Sequence, residues 1–286
     1  MAKPEKIWTV INIIKWGTEF FIQKNIDSPR LVIELLLCEV LKIDRLGIYT
    51  NFDKPLKSSE LDLLHSMVSR RAKHEPLEYI INKTNFMGNV LYVDSSVIIP
   101  RPETELLVEE AMKHINNSES IIGDFCTGSG CIAIVLAKNF PNSKIISIDS
   151  SGDVINIARK NAILHSLNNI DFYVMDLLKE NKLDFKFDII ISNPPYIELN
   201  EYLKLQPEIL QYEPRFALTD ESDGLTFYKR FAEIFKTFLN NKGQFFLEIG
   251  FGQAKAVKNI FEKSGYEISI MNDLSGIPRI VHGQIK

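Results

Sequence analysis

The chain has little cysteine and little histidine, and neither gathers anywhere. Cys38, Cys126 and Cys131 form no Cys-x-x-Cys pair. They are too few and too spread for a disulfide framework, which points to a reducing compartment. The five histidines are scattered, so no zinc or other metal centre is expected. Positive charge is short as well. Lys and Arg number 33 against 37 Asp and Glu, a formal net charge of −4. Binding duplex nucleic acid without sequence preference needs a phosphate-neutralising surplus, and there is none. Long apolar runs are also missing. Leu31 to Leu41 is broken by Glu34 and Glu39 and falls far short of the roughly 20 residues that span a bilayer. Ile7 to Ile14 stops at Lys15 with no small-residue cleavage site after it, so no secretory signal is expected. These absences imply a cytoplasmic protein, off the membrane, without a stable nucleic-acid partner. The expected state is a monomer.

What is present is ordinary for a globular chain: 45% hydrophobic and 24% charged residues over 286 positions. That length suggests two domains. Residues 1–86 read as helical. Ile7, Val10, Ile11, Ile14, Phe20 and Phe21 recur at helical spacing. Ser28 before Pro29 reads as an N-cap with proline at the first helical position, opening a helix over Leu31 to Leu41. Ser58-Ser59-Glu60 opens another that runs to Arg71. This segment carries a net charge of +2 and the remainder −6. Residues 87–102, rich in Val, Ile and Tyr, read as an extended linker or hairpin. Over residues 103–286 the texture alternates. Short apolar runs at Ile121 to Asp124, Lys144 to Asp149, Ile170 to Met175, Phe187 to Ser192 and Gln244 to Ile249 are separated by helical stretches. This predicts a parallel α/β sheet with crossover helices. Tyr266 to Met271 and Arg279 to Ile285 have only a turn between them, so that last pair is expected to be antiparallel.

Asp124-Phe125-Cys126-Thr127-Gly128-Ser129-Gly130 follows the first strand of this alternation and opens a helix, Cys131 to Asn139, that Pro141 ends. Small residues let a backbone approach a ligand closely, and a helix start offers free amides. A tight strand-to-helix turn without a ligand would use the same residues. The next strand ends at Asp149, nineteen residues after Gly130. A carboxylate there can accept hydrogen bonds from both ribose hydroxyls, as in doubly wound sheets that bind adenosine-bearing cofactors. Asp176 stands at the tip of the third strand. It is placed either against an adenine amino group or as the cap of a helix from Leu177.

The fourth strand runs straight into Asn193-Pro194-Pro195-Tyr196. Each residue before a proline is held extended, so Asn193 and Pro194 are both restricted. That fixes where the Asn193 side chain and the Pro194 carbonyl point. Both present oxygens that can accept two hydrogens from one NH₂ group, and Tyr196 adds a flat face. Such a site suits a planar nitrogen, either an exocyclic base amine or a carboxamide. Its lone pair is delocalised, so orientation and electrostatics do the work rather than proton abstraction.

The order Asp-x-x-x-Gly-x-Gly, strand-end Asp, Asn-Pro-Pro-Tyr resembles the Rossmann-like S-adenosylmethionine-dependent methyltransferases that alkylate planar nitrogens. Four further stretches narrow the resemblance: Ile99-Pro100-Arg101-Pro102-Glu103-Thr104-Glu105, Tyr212-Glu213-Pro214-Arg215-Phe216-Ala217-Leu218, Leu247-Glu248-Ile249-Gly250, and Asp273-Leu274-Ser275-Gly276 with Arg279. With these the chain resembles the HemK/PrmC-type protein-(glutamine-N5) methyltransferases of peptide-chain release factors over essentially its whole length. Asn-Pro-Pro-Tyr is shared with adenine methyltransferases and so speaks for the chemistry. The Pro-Arg-Pro-Glu run speaks for the family.

The resemblance implies an α/β fold, a seven-stranded Rossmann-like methyltransferase domain behind an all-helical N-terminal domain that docks the substrate. The cofactor would be S-adenosylmethionine and its product S-adenosylhomocysteine. Cys126, Thr127, Gly128, Ser129 and Gly130 would pass along the methionine part of the cofactor. Asp149 would bind its ribose, and Asp176 with Leu177 would sit at the adenine. Asn193, at the cofactor's edge, and the Pro194 carbonyl would hold the acceptor amide, with Pro195 and Tyr196 beside it. The family usually has Gly where this chain has Cys126. The Pro100 to Glu105 run reads either as plain helix-start chemistry or as a segment closing over the cofactor with Arg101 facing the site. Glu248 lies near the cofactor edge or is only a strand-end charge. Arg70, Arg71, Lys73 and His74 are a solvated helix end or a docking patch. The implied activity is methyl transfer to the glutamine of the Gly-Gly-Gln motif in class-1 release factors. Two competitors remain: the same chemistry on an adenine or on a glutamine of a ribosomal protein, and a cofactor-binding protein without catalysis.

Overall fold

The computed structural model describes residues 7–115 and 119–286. Residues 1–6 of the expected helical segment lie outside them. The chain divides into two compact units, the first ending at Asn82 and the second beginning at Lys83.

The first unit is helical: α1 (Val10–Gln23), α2 (Pro29–Leu41), α3 (Arg45–Thr50), α4 (Ser58–Arg71) and α5 (Leu77–Ile81). Val10, Ile13, Ile14 and Phe21 form the buried stripe of α1. Gly17 lets α2 come close, since a Cβ there would stand 2.5 Å from Ile33 Cγ1. Ser28 does precede Pro29 at the start of α2, but it does not cap. Its φ is +50° and its hydroxyl makes no cap bond, so proline geometry alone opens the helix. Glu34 is buried on α2 beneath Arg30, Arg45 and Tyr49. Burial would raise its pKa, but those three bonds hold it below the ordinary value. In the basic cluster at the end of α4, Arg70 and Arg71 are structural. The Arg70 Nε donates to Glu75 Oε2 at 2.8 Å and Arg71 Nη1 to the Glu75 carbonyl at 2.8 Å. The two arginines staple the turn into α5.

The second unit opens with an antiparallel hairpin, β1 (Thr84–Phe86) and β2 (Asn89–Leu91). It starts earlier than the linker expected from residue 87. Its two turn residues, Met87 and Gly88, have φ of +47° and +74°, as a type I′ turn requires. Then follow α6 (Pro102–Met112), β3 (Ile121–Phe125), α7 (Cys131–Asn139), β4 (Lys144–Asp149), α8 (Gly152–Leu164), β5 (Ile170–Val174) and β6 (Phe187–Ser192). The chain continues with α9 (Leu199–Tyr202), α10 (Pro207–Tyr212), α11 (Thr226–Phe238), β7 (Leu239–Glu248), α12 (Ala254–Lys263), β8 (Tyr266–Asn272) and β9 (Pro278–Ile285).

Among the described residues the main sheet has seven strands in the order β5-β4-β3-β6-β7-β9-β8. The first five are parallel. β9 runs antiparallel between β7 and β8. The strands are continuous apolar runs because helices cover both faces. One face packs Phe125, Phe187, Phe231, Phe235 and Phe238 together, all fully buried. From β3 the chain winds outward through β4 to β5, then returns to β6 on the other side. The strand order therefore reverses between β3 and β6. A crevice beyond their carboxyl ends is where such a sheet takes its ligand. No helix among the described residues is long and apolar enough to cross a membrane.

Candidate active site

The loop after β3 is built by Asp124. This carboxylate is fully buried, and its Oδ2 accepts the Thr127 hydroxyl at 2.5 Å and the Ala133 amide at 3.2 Å. It thereby pins both the loop and the start of α7. Burial pushes its pKa up to about 7. The loop makes three left-handed steps, at Cys126 (φ +59°), Gly128 (φ +56°) and Gly130 (φ +80°). Gly130 is doubly constrained, because a Cβ there would also lie 3.1 Å from that of Ala158. Asn161, buried on α8, closes the loop from behind. Its Nδ2 donates to the carbonyls of Ser129 and Tyr92, both at 2.9 Å.

Beyond these strands lies a cleft of about 280 Å³. Of the residues singled out in the sequence, Cys126, Gly128, Asp149, Asp176, Leu177, Asn193 and Pro195 line it together. Asp149 accepts the Gly128 amide at 3.1 Å. Burial raises its pKa, against the pull of the Gly128 and Ser151 amides. Asp176 does two things at once. It lines the cleft, and its Oδ1 accepts the Leu178 amide at 3.0 Å while Lys179 pairs with Oδ2 at 2.6 Å. That ion pair, against the effect of burial, keeps it below the ordinary carboxylate range. No helix follows it, only a turn. Arg230 holds that turn, donating to the carbonyls of Leu177 at 2.9 Å and Glu180 at 3.1 Å.

Six expected residues are not in the lining. Thr127 and Ser129 are buried at 3% and 2% exposure, with Thr127 drawn inward by Asp124. Gly130 is the pivot into α7. Pro194 is buried. Tyr196 turns its ring toward Gly250 and its hydroxyl to Glu248 Oε1 at 3.1 Å. Arg101 does not face the cleft. Its guanidinium pairs with Glu213 at 2.6 Å, which joins two of the sequence stretches described above.

Asn193 and Glu248 are linked by a residue whose role no local pattern announced. The Asn193 Nδ2 donates to Thr104 Oγ1 at 2.9 Å. Thr104 in turn donates to Glu248 Oε2 at 2.7 Å. Glu248 is 2% exposed. Burial raises its pKa, and the Thr104 and Tyr196 hydroxyls counter that. With Nδ2 donating one hydrogen to Thr104, the end of the Asn193 amide turned away from Thr104 is Oδ1. Gln253 fixes the end of the same motif, donating to the Tyr196 carbonyl at 2.8 Å and accepting the Gly250 amide at 2.9 Å. The arrangement sets an acceptor oxygen beside a cavity with a strand-tip carboxylate and apolar walls. It can hold a planar NH₂ group against a nucleoside-bearing ligand.

Two family models match the chain: the PrmC N-terminal domain over residues 12–81 and the methyltransferase small domain over residues 102–216. The chain is 40% identical over 286 residues to a release factor glutamine methyltransferase of Geobacter sulfurreducens, covering 100% of both chains. It is 43% identical over 250 residues to a release factor glutamine methyltransferase of Thermodesulfovibrio yellowstonii, covering 86% of this chain and 89% of that one. In fold it resembles a methyltransferase of Pyrococcus furiosus, with a TM-score of 0.52 at 16% identity, over 70% of this chain and 90% of the other.

Proposed function

The chain belongs to the release factor glutamine methyltransferases, and from that membership and the geometry of the cleft we propose that it methylates the side-chain amide of a glutamine in a translation release factor. The methyl donor is S-adenosylmethionine. By resemblance the glutamine is that of the Gly-Gly-Gln motif in a class-1 factor. The observation that carries the proposal is the orientation of Asn193, which lines the cleft and donates through Nδ2 to Thr104.

The cleft suits the donor. Val97, Ile98, Met175 and Phe227 supply apolar walls for a purine, and Asp149 supplies a carboxylate for the ribose hydroxyls. When bound, S-adenosylmethionine supplies a methyl group on a cationic sulfur. The rest is done by residues of this chain. A glutamine amide nitrogen is a weak nucleophile because its lone pair is delocalised. Asn193 Oδ1 and, by the family resemblance, the Pro194 carbonyl accept its two hydrogens, aim the nitrogen and build electron density on it. No base is needed beforehand. The N-methylated amide cation is a strong acid and gives its proton to water or to a nearby carbonyl oxygen. The N-terminal helical unit docks the release factor, because one glutamine carries too little surface for selection. The enzyme works as a monomer in the cytoplasm.

The test is to incubate the protein with S-adenosylmethionine and a class-1 release factor and to map the product by peptide mass spectrometry. One methyl group on the Gly-Gly-Gln glutamine is expected. A methyl on adenine or on a ribosomal-protein glutamine, with none on the factor, would keep the chemistry and overturn the acceptor. Cofactor binding with no methyl on any acceptor would overturn both.

A further inference from the structure

Three groups from distant parts of the chain meet behind the cleft. Thr104 stands in the first turn of α6, Asn193 just beyond β6, and Glu248 at the end of β7. Thr104 and Glu248 are both 2% exposed. A hydroxyl has one hydrogen to give. Thr104 gives it to Glu248 Oε2, which can only accept while ionised. What Thr104 has left is a lone pair, and it takes the Asn193 Nδ2 hydrogen. Turning the Asn193 amide over would set its Oδ1 against the Thr104 oxygen, two acceptors with no hydrogen between them. The other oxygen of Glu248 holds the Tyr196 hydroxyl. One buried carboxylate thus orders both ends of Asn193-Pro194-Pro195-Tyr196.

We infer that Thr104 and Glu248 are positioning residues that determine which end of the Asn193 amide faces the acceptor. The inference rests on the proposed methyl transfer, in which Asn193 must present oxygen. Neither residue lines the cleft, and both act through Asn193. Without the Thr104 hydroxyl, Asn193 is free to present NH₂. A donor then faces the two hydrogens of the acceptor nitrogen, and the amide is no longer held. The loss falls on turnover and not on cofactor binding, because the cofactor's carboxylate, Asp149, is on another strand.

The variants are Thr104→Val, which keeps the shape, Thr104→Ala, which removes any risk of a clash, and Thr104→Ser, which keeps the hydroxyl. Methyl transfer to a release factor is measured at saturating substrates, and S-adenosylmethionine affinity by calorimetric titration. The Val and Ala variants are expected to lose about 10- to 100-fold in kcat while cofactor affinity stays within about threefold, and Ser to restore most of the rate. Hydroxyl-free variants as fast as an active wild type would overturn the inference alone. So would a loss of cofactor affinity as large as the loss of rate, which marks a merely structural role. A wild-type protein that transfers nothing to the factor would instead overturn the reading beneath it.

Discussion

Arg101 and Glu213, 112 residues apart in sequence, form an ion pair at 2.6 Å in which the carboxylate is 3% exposed and the guanidinium 31%. The pair ties the start of α6, which carries Thr104, to the segment after α10. Glu213 Oε2 has no hydrogen-bond partner, so Arg101 is the main compensation for a buried charge. Arg101→Ala is expected to cost about 3 kcal/mol of stability, because it strands that carboxylate. Adding Glu213→Leu should recover most of the loss, since an apolar pair avoids the desolvation penalty. Thermal unfolding of the single and double variants checks this. A double variant no more stable than Arg101→Ala would contradict it.

Asp124 makes stability depend on pH. Burial lifts its carboxyl from 3.8 to about 7. Between those values the folded protein keeps a proton that the unfolded chain has released. Folding therefore loses stability as pH rises through that window, by on the order of 4 kcal/mol in all, and the slope vanishes above it. Asp124→Asn keeps an oxygen for Thr127 and Ala133 but cannot ionise. Relative to wild type, the variant should be modestly higher in melting temperature at pH 5 and much higher at pH 8. A constant difference across that range would mean that Asp124 is not the titrating group.

Cys126 holds a left-handed φ of +59°, which costs a residue with a Cβ about 1–2 kcal/mol. Cys126→Gly removes that cost and adds chain entropy to the unfolded state, so stability should hold or rise slightly. Cys126→Val, β-branched at positive φ, should lower the melting temperature by several degrees. Burial also raises the thiol pKa well above its ordinary value, so alkylation by iodoacetamide at neutral pH should be slow. Rapid labelling in the folded protein would contradict the raised thiol pKa.

Asp149 and Asn193 should separate binding from transfer. Asp149→Ala removes the acceptor assigned to the ribose hydroxyls. It is expected to weaken S-adenosylmethionine about 10- to 100-fold, as the loss of charge-assisted hydrogen bonds would. Calorimetric titration reads this directly. Unchanged affinity would mean that the ribose contact is misplaced.

The parallel strands could be read from the sequence because each is a short apolar run, with Asp149 closing β4 and Asn193 following β6. A sheet covered on both faces requires that texture. The hairpin at Thr84 was legible only in part. Its strands are three residues long, too short for alternation to register, and Met87 stands where Asn usually marks such a turn. For Arg101 the sequence leaves two readings open, plain helix-start chemistry and a side chain facing the site. Helix-start chemistry says where a residue sits along the helix and nothing of its partner 112 residues away. The roles of Thr104, Asn161 and Arg230 are not legible in the sequence for the same reason. Their bonds reach across 144, 69 and 53 residues, and a single polar contact at such a distance leaves no periodicity behind. Glu248 was placed at a strand end correctly. Its hold on Asn193 runs through Thr104, which no local pattern marks.

The most direct measurement is transfer of labelled methyl from S-adenosylmethionine to a class-1 release factor by the wild-type protein and by Asn193→Ala, with cofactor affinity measured on the same samples. The account predicts label on the wild-type reaction that disappears when the Gly-Gly-Gln glutamine is replaced by alanine. It predicts that Asn193→Ala loses at least about 100-fold in rate while binding the cofactor nearly as before. Equal labelling by the two proteins would contradict the role given to Asn193.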